Sequence, residues 1–156
     1  MNRLGLMSRL RRQHESDLIF YRSAHQMWRN RVLHWILIPV ECWSLFLVAY
    51  VLLPPWLPFL VATLLGFIAW WIAENPTVGC ACLVFHLFVI GSCTVTIQNL
   101  TTWEALTVAS IGWIFAWALQ VGVGHWLWEK NDPNVAHIAS VSWLAMCQSV
   151  LIAWSS

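Results

Sequence analysis

The chain falls into five long apolar runs parted by short polar breaks, at about 34–53, 56–73, 78–98, 104–128 and 137–154. Each run approaches the ~20 mostly apolar residues that a helix needs to cross a bilayer core. The breaks carry turn residues. Pro54, Pro55 and Trp56 part the first two runs, and Glu74 to Thr77 precede the third. Gln98 to Glu104 part the third from the fourth, and Glu129 to Asn134 part the fourth from the fifth. This pattern predicts an all-α fold, a polytopic membrane helical bundle of about five transmembrane helices. No repeat and no soluble domain interrupts it, so residues 1–156 read as a single integral membrane domain with its transmembrane bundle at 34–154.

Residues 1–30 follow another pattern. Leu4, Met7 and Leu10 recur every third position with arginines between them. That spacing suits an N-terminal interfacial helix on an anionic membrane face; a solvated basic tail is the other reading. The segment has no apolar core of about 7 to 15 residues and no small-residue cleavage site, so it does not read as a signal peptide.

Composition agrees with a membrane chain. Hydrophobic residues make up 60% and charged residues only 10%, where a soluble domain carries about a quarter charged residues. Among the 13 tryptophans, many stand near the ends of runs, as in an interfacial aromatic belt. Of the 8 Lys and Arg residues, all but Lys130 lie between Arg3 and Arg31. By the positive-inside rule the N-terminus is cytoplasmic, and so are the 74–77 and 129–134 loops. The 5 cysteines all fall inside apolar runs without a CxxC pair, and such residues pack as small hydrophobes. The net charge of +1 points to no particular partner. A bilayer is implied, no nucleic acid is expected, and the oligomeric state stays open.

Charge matters more where it is rare. On this topology all 6 histidines, His14, His25, His34, His86, His125 and His137, lie at or in the cytoplasmic half. Ionisable groups inside a membrane are costly and by default mark a functional site, and imidazole is the commonest nitrogen ligand for transition metals. His25, His34 and His125 are the best ligand candidates, because Tyr21, Asn30 and Glu129 stand four residues from them at helical spacing. His86, about eight residues into its span, reads equally well as a ligand or as a hydrogen bond between helices.

Geometry then sets a condition. His25 and His34 stand on opposite faces of a straight helix, about 180° apart. Both can line one pocket only if the helix breaks between them. Asn30 is a good N-cap, so a short helix to about residue 28, a bend and a new helix from Asn30 are expected. Glu129 and Glu41 can serve as ligands or as acceptors that orient an imidazole N–H; the second role is preferred for Glu129. Gly122 and Gly124 would let a neighbouring helix approach His125 closely.

Two stretches carry a resemblance, FYRSAHQMWRNRVLHWILIP (20–39) and GHWLWEKNDP (124–133). They resemble the small membrane dioxygenases typified by the yeast 2-hydroxy-palmitate dioxygenase. The family pattern of Tyr, His, Asn, His and Pro is met by Tyr21, His25, Asn30, His34 and Pro39 with every spacing kept. Its later Gly-His, Glu and Pro are met by Gly124, His125, Glu129 and Pro133. Gln120 sits five rather than four residues before His125, and His137 stands where an acidic or amide residue is usual.

The resemblance implies an Fe(II)-dependent enzyme of the endoplasmic reticulum. It would convert a 2-hydroxy long-chain fatty acid, with O₂, to a fatty acid one carbon shorter. His25, His34 and His125 carry over as iron ligands; the candidates for a fourth are His137 and, as an alternative, His86. Tyr21, Asn30 and Glu129 are the expected catalytic residues, and Arg22, Arg29 and Gln120 the expected substrate contacts. The rival readings are a divergent member acting on another lipid or a terpenoid-like molecule, a haem protein, and a non-catalytic scaffold. No HxxxH or HxxHH box places the chain with the membrane desaturases.

Overall fold

The computed structural model describes residues 8, 12, 15, 16, 19, 23, 25–73 and 76–131. Among them every regular element is a helix. Helix α1 spans Trp28–Leu52, α2 Trp56–Ala73, α3 Pro76–Asn99 and α4 Thr102–Ala118, and α4 continues into a π-helical segment, Leu119–Glu129.

The breaks lie where turn residues predicted them. Pro54 and Pro55 carry no N–H to continue α1, and the Leu57 N–H closes the turn on the Pro54 carbonyl at 2.9 Å. Pro76 opens α3, the position where its missing N–H is harmless. Thr101 caps α4 through a reciprocal pair with Glu104, the threonine N–H and hydroxyl both reaching the carboxylate. Pro39 lies inside α1 and leaves the Trp35 carbonyl without its usual helical partner.

Three helical stretches are long and apolar enough to cross a membrane, Trp28–Leu52, Pro76–Asn99 and Thr102–Glu129, while the apolar stretch of α2, Trp56–Trp70, is shorter. Only 17% to 33% of their most apolar windows is buried within the protein. Large side chains such as Ile36, Phe88, Val95, Ile111 and Phe115 point outward, which is favourable in lipid and not in water. The described helices coincide with four of the five expected apolar runs, three of them long enough to span; the fifth run, 137–154, lies outside the described residues, as does most of the expected N-terminal interfacial helix.

Helices α2 and α3 pack as one pair and α1 with α4 and the π-helical segment as another, with α1 also touching α3. Leu47, Ala62, Ala69, Cys82, Ile90 and Cys93 are among the residues of the shared core. The cysteines there are free thiols, as expected from their apolar setting. Small residues set the spacing. A methyl at Gly79 would overlap the Trp70 Cβ and stand 2.9 Å from the Gly66 carbonyl oxygen, so α2 and α3 meet backbone to backbone, the kind of contact that drives helix association where lipid supplies no hydrophobic force.

The other seam is antiparallel and positions the site. Asn30 meets Glu129, Glu41 meets Gln120, and Ser44 faces Gly112. The start of α1 therefore lies beside the end of the π-helical segment that continues α4. The π-helical hydrogen bonding widens each turn of that end, so residues spaced between four and five apart return to one side. Gln120, then Gly124 and His125, then Glu129 fall on that side, and the first three are buried. A continuous α-helix had been expected to 128; its last turns are π-helical instead.

Candidate metal centre

Three imidazoles from three places in the chain converge here. His25 stands just before α1, His34 lies in its second turn, and His125 comes from the π-helical segment. The rings are 8%, 7% and 6% exposed, and one ligand atom from each lies within 4.8 Å of the others. Ring centroids are 4.5 Å apart for His25 and His34, 4.8 Å for His25 and His125, and 5.5 Å for His34 and His125, all edge to face.

The backbone break that this convergence needs is present, but earlier than expected. His25 to Met27 are non-helical and α1 begins at Trp28. Asn30 therefore does not cap the helix; it lies one turn inside. The capping position is Met27, whose side chain makes no cap bond. Glu129 acts there instead, its Oε1 accepting from the Met27 N–H at 2.8 Å and from Asn30 Nδ2 at 3.3 Å. The carboxylate that was expected to orient His125 thus ties down the segment that carries His25.

The hydrogen bonds decide which ring atoms are available. A carbonyl only accepts, so His34 Nδ1, 2.9 Å from the Asn30 carbonyl oxygen, carries the proton and leaves Nε2 as a bare lone pair. His25 Nε2 faces that lone pair at 3.3 Å. His125 Nδ1 lies 3.1 Å from Asn131 Oδ1, which leaves its Nε2 free as well.

The residues fit a metal ion. Imidazole nitrogens held about 2.0–2.1 Å from one ion at ordinary coordination angles stand about 3.0–3.4 Å apart, and the 3.3 Å between His25 and His34 falls within that span. Three neutral nitrogen donors suit iron, zinc, copper or nickel better than calcium or magnesium, which prefer oxygen. A haem between any two of these rings has no room at these centroid distances.

Asn30 is fully buried, and the orientation of its amide is forced. Only Nδ2 can face the Glu129 carboxylate, so Oδ1 turns the other way and has no hydrogen-bond partner. It lies against Gly124, where a side-chain carbon would overlap it. Close approach at Gly124 was expected; Asn30 is the reason for it.

The remaining site candidates fall elsewhere. His86 is fully buried in α3, with Nδ1 donating to the Cys82 carbonyl at 2.7 Å and Nε2 without a hydrogen-bond partner. Its neighbours are the rings of Phe46 and Phe85, and it is not one of the three clustered imidazoles. Gln120 donates to Glu41 Oε1 at 2.7 Å, deeper along the same seam. Arg29 is exposed on the first turn of α1. Tyr21, Arg22 and His137 lie outside the described residues.

Fold and site together define a bundle of apolar helices with a buried three-histidine centre at one end. The family model described as 2-hydroxy-palmitic acid dioxygenase Mpo1-like matches residues 11–77. Over that stretch the chain is similar to this family, which supports the resemblance carried by its motifs. The match includes His25, Asn30, His34 and Pro39 and stops short of Gly124, His125 and Glu129, so the third histidine is tied to the centre by its own motif and the geometry, not by that match. No curated protein and no solved structure matches the chain.

One contact at the centre had no sequence expectation, that of Asn131 with His125. A signal exists, since Asn131 lies in the polar break that follows the fourth apolar run. Reading it needs a left-handed turn at Lys130 (φ 55°, ψ 34°), a conformation usually taken by glycine or asparagine.

Proposed function

We propose that this protein is a membrane-embedded Fe(II)-dependent dioxygenase that converts a 2-hydroxy long-chain fatty acid and O₂ to a fatty acid one carbon shorter. The observation that carries this reading is the buried cluster of His25, His34 and His125, together with the dioxygenase family match over the segment that contributes two of the three.

The stoichiometry closes without an outside reductant. RCH(OH)COOH and O₂ give RCOOH, CO₂ and H₂O, with the bond between the carboxyl carbon and the hydroxyl-bearing carbon broken. The substrate supplies all the electrons that the oxygen takes. Iron, when bound, supplies O₂ activation and a point of chelation for the carboxylate and hydroxyl of the acid.

The chain's own residues do the rest. His25, His34 and His125 hold the ion and present three neutral donors, so the anionic charge that balances Fe(II) comes from the substrate carboxylate. Glu129 and Asn30 hold the entry segment against the π-helical segment. Arg22 or Arg29 pairs with the carboxylate, Tyr21 donates a hydrogen bond to substrate or oxygen, and His137 is the candidate fourth ligand. Gln120 acts on the alkyl-chain side of the site through its bond to Glu41. The chain lies among the helices at about 0.8 kcal/mol per CH₂ relative to water, and far less relative to lipid, so recognition falls on the headgroup. We place the N-terminus and the site on the cytoplasmic side, in the endoplasmic reticulum or, in a bacterium, the inner membrane.

The test is the metal content of detergent-purified protein, wild type beside His125→Ala. Stoichiometric iron that is lost in the variant, and O₂ uptake on adding a 2-hydroxy acid, support the reading. Anaerobically purified wild type without metal overturns it.

A further inference from the structure

We propose that Asn131 is the positioning residue of this centre: its side-chain oxygen accepts the Nδ1–H of His125 and thereby fixes Nε2 as the ligand atom. The inference rests on the metal-centre reading above and adds a residue that neither the family match nor the sequence motifs include.

The contact is built by the way the π-helical segment ends. Lys130 takes the left-handed conformation, and its N–H donates to the His125 carbonyl. The Asn131 N–H donates to that same carbonyl at 3.2 Å, a closure one residue wider than the 6→1 bond of a Schellman cap. The chain is thus folded back over the residue it has just passed. The Asn131 side chain then reaches the ring, with Oδ1 3.1 Å from Nδ1. One residue therefore holds His125 at both its backbone oxygen and its imidazole.

Non-glycine residues rarely adopt this turn, and in the described residues Lys130 is the one with positive φ. A lysine held in that conformation to bring one side chain onto one ring is a local cost offset by what the ring does.

The arrangement matches that of His34. There, too, Nδ1 bonds an oxygen, in that case the Asn30 carbonyl four residues back rather than a side chain six residues ahead, and Nε2 is left for the centre. An imidazole with no such partner can exchange its proton between nitrogens and turn about its side-chain bonds. Acceptors on the far nitrogen suppress both, and removing them from metal-binding histidines typically weakens metal affinity or activity by about 10- to 100-fold. Without this contact the His125 ring, near the end of its helical segment, would be free to turn.

Full-length wild type, Asn131→Leu and Asn131→Asp in detergent separate positioning from packing. Co(II) affinity is measured against a competing chelator, with the visible absorption of bound Co(II) and the thermal midpoint of each metal-free protein. Leucine is expected to weaken Co(II) binding by about 10- to 100-fold and to alter the absorption, with the metal-free midpoint close to wild type. Aspartate, which can only accept, is expected to restore both affinity and absorption. Leucine binding Co(II) as wild type does overturns the proposal, and so does a loss that aspartate fails to restore, since the amide N–H would then be the active group. A wild type that takes up no metal overturns the centre itself, an outcome distinct from either.

Discussion

The N–H of Met27 and the carboxylate of Glu129, 102 positions apart in the chain, share a 2.8 Å hydrogen bond. Through it the last turn of the π-helical segment caps the first turn of α1. The same oxygen accepts from Asn30, so one carboxylate holds both the bend that carries His25 and the asparagine whose carbonyl orients His34.

Removal of that carboxylate should loosen the centre from one side. Glu129→Ala leaves the exposed Met27 N–H to water and the buried Asn30 amide without its acceptor, the second a loss of about 1–3 kcal/mol. Proteolysis near residues 25–27 is expected to quicken, and metal affinity to fall. Glu129→Gln retains an acceptor oxygen and should show a smaller fall in both. Equal behaviour of the two variants would mean that charge, and not the hydrogen bonds, carries the effect.

Gly124 and Asn30 should show coupled effects. A methyl at Gly124 overlaps Asn30 Oδ1, and overpacking of this kind costs typically about 1–3 kcal/mol. Gly124→Ala is therefore expected to lower stability and metal occupancy together. Asn30→Ala removes the obstacle at the cost of its bond to Glu129. In a double-mutant cycle the pair should be less harmful than the sum of the singles, by at least about 0.5 kcal/mol, the usual floor for residues in contact. Additive losses would show that Gly124 is needed for another reason.

The apolar runs, their breaks and the three histidines could be read from spacing because each depends on local chemistry. Pro54 and Pro55 end one helix and Pro76 opens another through their missing N–H, and an imidazole in an apolar run is conspicuous. What escaped was the assignment of polar partners. Asn30 has the side chain of a cap but lies one turn inside α1, because a carboxylate from 99 residues away already serves that end. Glu129 follows His125 at helical spacing, yet the wider π-helical turn and the left-handed Lys130 give the ring to Asn131. Gln120, expected at the substrate, has a bond to Glu41 that no spacing foretold. Asn30 and Gln120 find partners across the seam, and His125 finds one just past its own segment, and helical spacing along one element shows none of these.

Sidedness has its own prediction. Arg29, at the site end of α1, and Trp103, in the first turn of α4 at the far end of that helix from the π-helical segment, are both exposed. In a cysteine-free background in sealed membranes, Arg29→Cys should react with an impermeant maleimide from the side that carries the N-terminus. Trp103→Cys should react from the opposite side. Labelling of both from one side would rule out a bilayer-crossing α4.

The last prediction concerns Glu41 and Gln120, which meet at 2.7 Å within the membrane-spanning part of the seam. A polar pair in such a setting is stabilised by its own bond and penalised by its lost hydration. Removing one partner leaves the other buried without its bond, at about 1–3 kcal/mol. Removing both leaves apolar surface that packs like the rest of the seam. Gln120→Leu is therefore expected to lower the thermal midpoint of the metal-free protein, whereas Glu41→Leu with Gln120→Leu should recover most of it. If the pair serves only to join α1 to the last helix, the recovered double variant keeps its O₂ uptake on a 2-hydroxy acid. If it also sets how the alkyl chain lies, stability returns while KM for long-chain substrate rises and kcat holds. Stability and substrate binding then separate in one protein, which distinguishes a helix contact from a wall of the substrate site.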